Sequence, residues 1–196
     1  MTSTAAFRWV LLMVSALVLS TAVPATGQAD AEPEEFSAFA IDMGRGSTGA
    51  TAQLVINITR WTSQTERDRL LNLLREKGQR ALIDAFGDTK RVGSIRTLHS
   101  VGYDLQLAYQ EPAAEGRRRV LIATDRPIGF TEAVNRPPTM DYPFTVIELL
   151  VDKEGKGQGT LHIASRLVPA GKTIIVENWD IQPVQLRNVE SRKRGR

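Results

Sequence analysis

After residue 35, apolar and polar residues alternate along most of the chain, a pattern typical of strands with one buried face. Leu54, Ile56 and Ile58 fall on one face of residues 51–61, and polar side chains fall on the other. The same alternation predicts further strands at residues 36–42, 92–97, 103–110, 118–124, 144–152, 159–168, 173–178 and 184–189.

One segment has helical spacing instead. Ser63 and Glu66 stand at the capping-box separation, which predicts a helix start. An apolar stripe follows at Leu70, Leu71, Leu74, Ala81, Leu82 and Ala85, and the expected polar face contains Arg67, Asp68, Arg75, Glu76 and Arg80. Gly78 in the middle predicts a kink or a break into two helices, and Gly87 predicts the end.

The connections between the later strands are short, which favours antiparallel pairing of neighbours. A sheet with one apolar face needs a cover, and this helix is the only candidate. We therefore expect an α+β domain: a curved antiparallel sheet of about seven to nine strands with one long helix packed on its concave face. A closed barrel around the helix is the alternative.

The N-terminal 27 residues have the order of a secretory signal peptide. Arg8 precedes an apolar run of about a dozen residues, and Pro24 and the small residues Ala25, Thr26 and Gly27 follow. The run is shorter than the ~20 residues that span a bilayer, so cleavage after Gly27 is favoured over an uncleaved anchor. The expected division is a signal peptide (1–27), a disordered lead-in (28–35), one domain (36–189) and a disordered basic tail (190–196), with no transmembrane segment after cleavage.

A cleaved signal peptide predicts that the mature protein is located in the periplasm or the extracellular medium. The chain has no cysteine, so neither disulfides nor thiolate metal sites form, and burial alone must stabilise the domain. This composition favours a bacterial envelope over the eukaryotic secretory route.

The basic pI of about 9.4 arises mainly from the tail. Residues 190–196 have a formal charge of +3, and the expected domain with its lead-in is close to −1. Nucleic-acid binding, which needs a basic stripe with interleaved aromatic residues, is therefore not expected. In an envelope the tail has anionic lipid headgroups as a candidate partner, and a solvated end without a partner is the alternative.

Candidate chemistry is sparse. The chain has two histidines, His99 in a loop and His162 in a predicted strand, and no nucleophile-elbow sequence supports a Ser-His-Asp arrangement. Metal-binding spacings are lacking, and Gly44, Gly46 and Gly49 match a dinucleotide fingerprint only in letters, because a strand rather than a helix follows. We expect no cofactor and no catalytic residue.

Aromatic residues beside the Pro-rich passage 125–143 are the remaining candidates for a site. They bracket neighbouring strands, where aromatic residues normally fill a core, so plain core packing is favoured. The alternative is that they line a cleft between helix and sheet, with polar groups at its mouth. The candidate ligand-binding residues are Trp61, Tyr103, Tyr109, Phe130, Tyr142 and Phe144, with Arg126 and Asp141 at the mouth.

Several short runs together resemble a group of exported bacterial proteins of unknown function. These runs are residues 58–61 (Ile-Thr-Arg-Trp), 66–67 (Glu-Arg), 91–93 (Arg-Val-Gly), 124–128 (Thr-Asp-Arg-Pro-Ile) and 141–145 (Asp-Tyr-Pro-Phe-Thr). The resemblance spans most of the chain after the signal peptide. It implies a bacterial envelope or secreted protein and assigns no chemistry.

The function expected from the sequence is non-catalytic: an exported domain that binds an apolar or lipid-like small molecule between helix and sheet. An interaction module for another envelope protein is the alternative, and a hydrolase of unrecognised type is the third. An open apolar cavity favours the first, and a solid core with an exposed apolar patch favours the second.

Overall fold

Ten antiparallel strands and one long helix follow one another along the chain in a computed structural model that describes residues 31–42, 51–98, 100–126, 128, 141–178 and 182–194. The expected signal peptide, the glycine-rich turn at 43–49, His99 and most of the Pro-rich passage lie outside the described residues. The elements are β1 (Glu34–Ile41), β2 (Thr51–Ile58), α1 (Gln64–Asp88), β3 (Gly93–Thr97), β4 (Tyr103–Leu105), β5 (Leu107–Pro112), β6 (Arg118–Thr124), β7 (Phe144–Val151), β8 (Lys156–Ala170), β9 (Thr173–Asn178) and β10 (Val184–Lys193).

The sheet is curved into a nearly closed barrel. Its order is β4-β3-β2-β1-β10-β8-β7-β6-β5, with β9 paired to β8, and every pair is antiparallel. The two ends of this order, β4 and β5, are separated in the chain by Gln106 alone, whose amide donates to Ala123 O at 3.1 Å. The α+β class and the antiparallel sheet are confirmed, and the strand count is nine when β4 and β5 are taken as one bent strand.

Two separate apolar cores lie on the two faces of this sheet. The first fills the barrel interior with alternate residues of the ring strands, among them Phe36, Ile56 and Ile122. The second lies outside, where Leu70, Leu74 and other helix residues pack on the outward side chains of β5–β9. The helix thus covers the convex face, and the expected packing on the concave face is wrong because the strands' own side chains already fill the interior.

The helix begins where the sequence predicts it. Ser63 Oγ accepts from the Glu66 amide at 3.1 Å, and Gly78, at φ 75° and ψ −168°, interrupts the helical backbone as expected. The helix changes direction so sharply at Gly78 that the residues after its end lie beside the residues before its start. Thr59 N donates to Val92 O at 2.9 Å, and Arg60 contacts both Glu66 and the Lys90 carbonyl oxygen. Two helical arms therefore fold back on each other across the outside of the sheet.

Strand β8 is longer than expected and belongs to two layers. Residues 156–161 pair with β10 and form part of the barrel wall, whereas residues 165–170 pair with β9. We call residues 165–178 the outer hairpin. Arg119 on β6 donates to Ile174 O at 3.0 Å, and Gln79 of the helix donates to Leu167 O at 2.7 Å. The outer hairpin therefore folds back over the barrel and forms the second layer together with α1.

Strand β10 extends to Lys193 and corrects the expected tail. Residues 190–193 pair with Glu34–Ser37 of β1, and Arg194 N donates to Pro33 O at 2.9 Å. Residues 34 and 35, expected in the lead-in, are likewise part of β1. The error arose because this end of β10 carries mostly charged, exposed side chains, and its place is set by backbone hydrogen bonds that hydropathy does not reveal.

Candidate functional site

The interface between the helix and the outer face of the sheet is the candidate site. It contains a small, partly open void of about 10 Å³, roughly one water-sized sphere. We call its lining the seam; the lining residues are Arg67, Leu70, Leu71, Leu74, Leu82, Leu107, Leu167 and Ile174. Helix, β5, β8 and β9 all contribute, so the seam lies where the two-armed helix, the outer hairpin and the barrel meet.

Arg67 is the one charged residue of the seam. It is 8% exposed, and its guanidinium carbon lies 4.9 Å from the centroid of the Tyr109 ring. Its Nε is buried and makes no hydrogen bond. None of the ion pairs among the described residues involves Arg67. A buried charge without an ion pair is costly, so this arginine is the least ordinary feature of the interface.

A polar cluster borders the seam beyond Tyr109 and consists of Glu111, Arg119, Glu148, His162 and Thr173. Arg119 Nη1 donates to Glu111 Oε1 at 2.6 Å, and its Nε donates to Glu148 Oε1 at 2.9 Å. The Thr173 hydroxyl donates to Glu111 Oε1 at 2.8 Å. Since Thr173 lies on β9, the polar cluster fastens the outer hairpin to the barrel wall.

The electrostatics of the polar cluster follow from burial and pairing. Burial raises the pKa of the Glu148 carboxyl, but hydrogen bonds from His162 and Arg119 outweigh it, so this pKa lies below its ordinary value. Burial, with Glu111 nearby, raises the pKa of the Tyr109 phenol. Although burial opposes it, pairing with Glu148 and Glu111 raises the pKa of Arg119. All three groups therefore keep their usual charge states at neutral pH.

His162 is held at both ring nitrogens. Nδ1 lies 2.8 Å from Asn178 Oδ1, and Nε2 lies 2.9 Å from Thr160 Oγ1 and 3.2 Å from Glu148 Oε2. The Ser165 hydroxyl donates to Asn178 Oδ1 at 3.0 Å and is not directed at the imidazole. A nucleophile–base pair needs a direct hydrogen bond between the two groups. The arrangement thus supports a positional role for His162 at the base of the outer hairpin.

The structure brings two of the candidate aromatic residues to the second core. Tyr109 and Phe144 are both fully buried beneath the helix, and the rings of Phe144 and Phe86 lie 5.3 Å apart. Trp61 lies elsewhere, in the barrel core, where its Nε1 donates to Glu32 O at 2.9 Å. These residues form two cores on opposite sides of the sheet and not one cleft.

The other candidates lie nearer the surface. Tyr103 on β4 is 37% exposed, and Tyr142 is half-buried with the Arg166 guanidinium 5.7 Å from its ring centroid. Arg126 and Asp141 are exposed at the two ends of the Pro-rich passage. Phe130 lies outside the described residues.

A larger concavity of about 450 Å³ lies at one end of the barrel. Among the residues that line it, Glu34 is charged and buried, with 2% of its surface exposed. Arg118 Nη1 donates to Glu34 Oε2 at 2.9 Å and to Gln110 Oε1 at 2.7 Å. The buried charge of this concavity, Glu34, forms an ion pair with Arg118, whereas Arg67 in the seam forms no ion pair within the described part of the chain.

Sequence reasoning missed Arg67 and placed it on the polar face of the helix. The signal was present in the spacing, because Leu70, Leu71 and Leu74 follow Arg67 at the i+3, i+4 and i+7 positions that share one helix face. The charge of the side chain predicts a solvent-facing position, whereas its place on the leucine face of the helix predicts burial.

No protein-family model, curated protein or solved structure matches this chain. Within the described ranges, α1 lacks the run of apolar residues that a membrane-crossing helix requires. The same ranges contain no group of three His, Asp or Glu side chains arranged to hold a metal ion.

Proposed function

We propose that this protein is a non-catalytic exported domain that binds an apolar or lipid-like small molecule between its helix and the outer face of its sheet. The observation that supports it is the leucine-lined void of about 10 Å³ in the seam. The void lies where the two helical arms meet the two-stranded outer hairpin.

The construction of the outer layer supports ligand entry. The barrel has its own interior core, so moving the helix outward exposes the seam without opening the barrel. The arms meet at Gly78, whose φ of 75° places the joint at a residue that accepts many backbone angles. In the closed form the void holds about one water, so binding requires the arms to separate from the outer hairpin.

The first test is native mass spectrometry of protein purified from its own envelope. A retained apolar molecule, released by organic solvent, is the expected result. The delipidated protein should then bind a neutral apolar fluorescent probe at a single saturable site. Absence of both a retained molecule and saturable probe binding would refute the proposed function.

A matched pair of variants locates the site. Leu71→Ala enlarges the seam, and Leu54→Ala makes an equal deletion in the barrel core. Both should lower stability by roughly 2–5 kcal/mol. Only Leu71→Ala should change probe affinity; an equal change in both variants would place the probe elsewhere.

Export is tested separately by sequencing the N-terminus of the mature protein. The signal-peptide hypothesis expects Gln28 as the first residue, with cleavage after Ala25 as the second choice. A mature chain that begins at Met1 would contradict export.

An interaction module for another envelope protein is the second candidate function. Leu98 is 53% exposed and Val101 is fully exposed in the loop between β3 and β4, and Phe39 on β1 is 48% exposed. Contiguous exposed apolar side chains are typical of contact surfaces, and Leu98 and Val101 lie in one short loop. A Leu98→Ser, Val101→Ser double variant should keep its melting temperature and lose crosslinked partners; unchanged crosslinking would contradict this candidate.

A further inference from the structure

We propose that the ligand of the seam is an amphiphile with a single anionic head group and an unbranched apolar tail, whose head group binds Arg67. This inference rests on the proposed function and specifies its ligand. Its basis is the position of one buried cation among leucines, together with the pairing of the acidic groups around it.

Arg67 is placed to meet a head group. It is four residues beyond the cap Ser63 on the N-terminal arm, and helical side chains point back toward the N-terminus. The guanidinium lies 4.9 Å from the Tyr109 ring centroid at the edge of the seam. The unpaired amides at the helix start add a positive potential there, which disfavours a cation alone and favours an anion beside it.

The nearby carboxylates already have partners. Glu66, in the same helical turn, accepts from Arg60 at 2.9 and 3.1 Å. Glu111 and Glu148, in the polar cluster beyond Tyr109, both bind Arg119. Asp68 accepts from Gln64 at 2.8 Å. Arg67 therefore has no ion-pair partner among the described residues and its buried Nε is unsatisfied, and a guanidinium matches a carboxylate or phosphate.

The rest of the seam specifies the tail. Six leucines and one isoleucine line it beside Arg67. This combination of one cation and an otherwise aliphatic wall is complementary to a head group with one anionic centre and a saturated chain. Two sources share that chemistry, a free fatty acid and a singly acylated phosphate.

The test compares three twelve-carbon probes that differ only in the head group: dodecanoate, dodecyl phosphate and dodecanol. Isothermal titration of the delipidated full-length mature protein should give dodecanoate or dodecyl phosphate an affinity at least about tenfold above that of dodecanol, since a charged hydrogen bond is worth about one such factor or more. Whichever anion binds more tightly identifies the source.

Arg67→Met tests the residue, and Arg69→Met on the exposed face of the same arm is the control. Arg67→Met should abolish the preference for the anion and leave dodecanol affinity unchanged within about twofold. It should also raise the melting temperature of the ligand-free protein, because it removes an unpaired buried charge. Arg69→Met should change none of these values. Arg67→Lys, which keeps the charge, should retain part of the preference and serves as the test if Arg67→Met does not fold.

The outcomes separate the two proposals. Equal affinities for dodecanol and the anions in the wild-type protein, or an undiminished anion preference in Arg67→Met, would overturn this inference and leave the proposed function standing. A lower melting temperature in Arg67→Met would also overturn it, since the contact with Tyr109 would then account for the burial of Arg67. Failure of all three probes to bind would overturn this inference, and only together with the absence of a retained apolar molecule and of saturable fluorescent-probe binding would it refute the proposed function itself.

Discussion

Deleting residues 190–196 should strongly destabilise this protein, although these residues look like a charged tail. The deletion removes four residue pairs between β10 and β1 and one between β10 and β8. It also removes the bonds from Ser191 N to Gly155 O at 2.7 Å and from Arg194 N to Pro33 O at 2.9 Å. About six backbone hydrogen bonds at about 0.5–1.5 kcal/mol each correspond to a loss of about 3–9 kcal/mol. For a domain of this size the melting temperature should fall by on the order of 10 °C.

Urea denaturation followed by circular dichroism measures the loss directly. Deleting only residues 195–196, which lie outside the described residues, should change the free energy of unfolding by less than about 0.5 kcal/mol. Arg192→Ser tests the charge without shortening the strand, and it should also have a small effect because Arg192 is exposed. An unchanged melting temperature after deletion from Glu190 would show that this end of β10 contributes nothing to the barrel, and the pairing argument would be wrong.

Three further predictions concern the outer layer. Leu74→Ala in the seam should cost about 2–5 kcal/mol, and the exposed neighbour Glu76→Ala should change the free energy of unfolding by less than about 0.5 kcal/mol; equal small effects in urea would mean that the helix is peripheral. Gly78→Ala should cost about 1–2 kcal/mol, because Gly78 has a φ of 75° that alanine adopts poorly; a gain in stability would mean that the arms can merge into one straight helix. Glu148→Gln tests the polar cluster: the pKa of Glu148 is lowered in the folded state, so the stability it adds is present above its ordinary value of 4.5 and is lost as pH falls through the folded pKa. The difference in free energy of unfolding between wild type and Glu148→Gln should therefore be largest at pH 7 and shrink below pH 4.5; a pH-independent difference would argue against the pairing with Arg119.

Elements whose bounds depend on a few neighbouring residues were predictable from the sequence. The Ser63 cap and the break at Gly78 depend on single residues with specific backbone preferences, and both stand where the sequence indicates. Strands β6 and β9 have the predicted bounds because apolar runs and turn residues delimit them. The antiparallel pairing followed from short connections alone.

The side of the sheet that the helix covers was not predictable by the same means. In β6, every residue from Val120 to Thr124 is buried, because one set of side chains faces the barrel interior and the other faces the helix. A strand covered on both faces gives a continuous apolar run, and alternation then no longer says which face is inside. The position of the candidate site depends on that choice. Tyr109 and Trp61, candidates for one cleft, are both core residues and lie in two different cores.

The place of β10 between β1 and β8 sets the order in which the barrel can be completed. Glu34 pairs with Lys193 across nearly the whole described chain, so the contact that joins the first strand to the last cannot form before the last strand has emerged. Such long-range pairing is slow, because the loop between the partners must be closed first. A chain that folds as it emerges, N-terminus first, therefore carries β1 with one unpaired edge until β10 arrives. Incomplete chains that lack β10 present that open edge permanently, and edge-to-edge association is their expected route to aggregation.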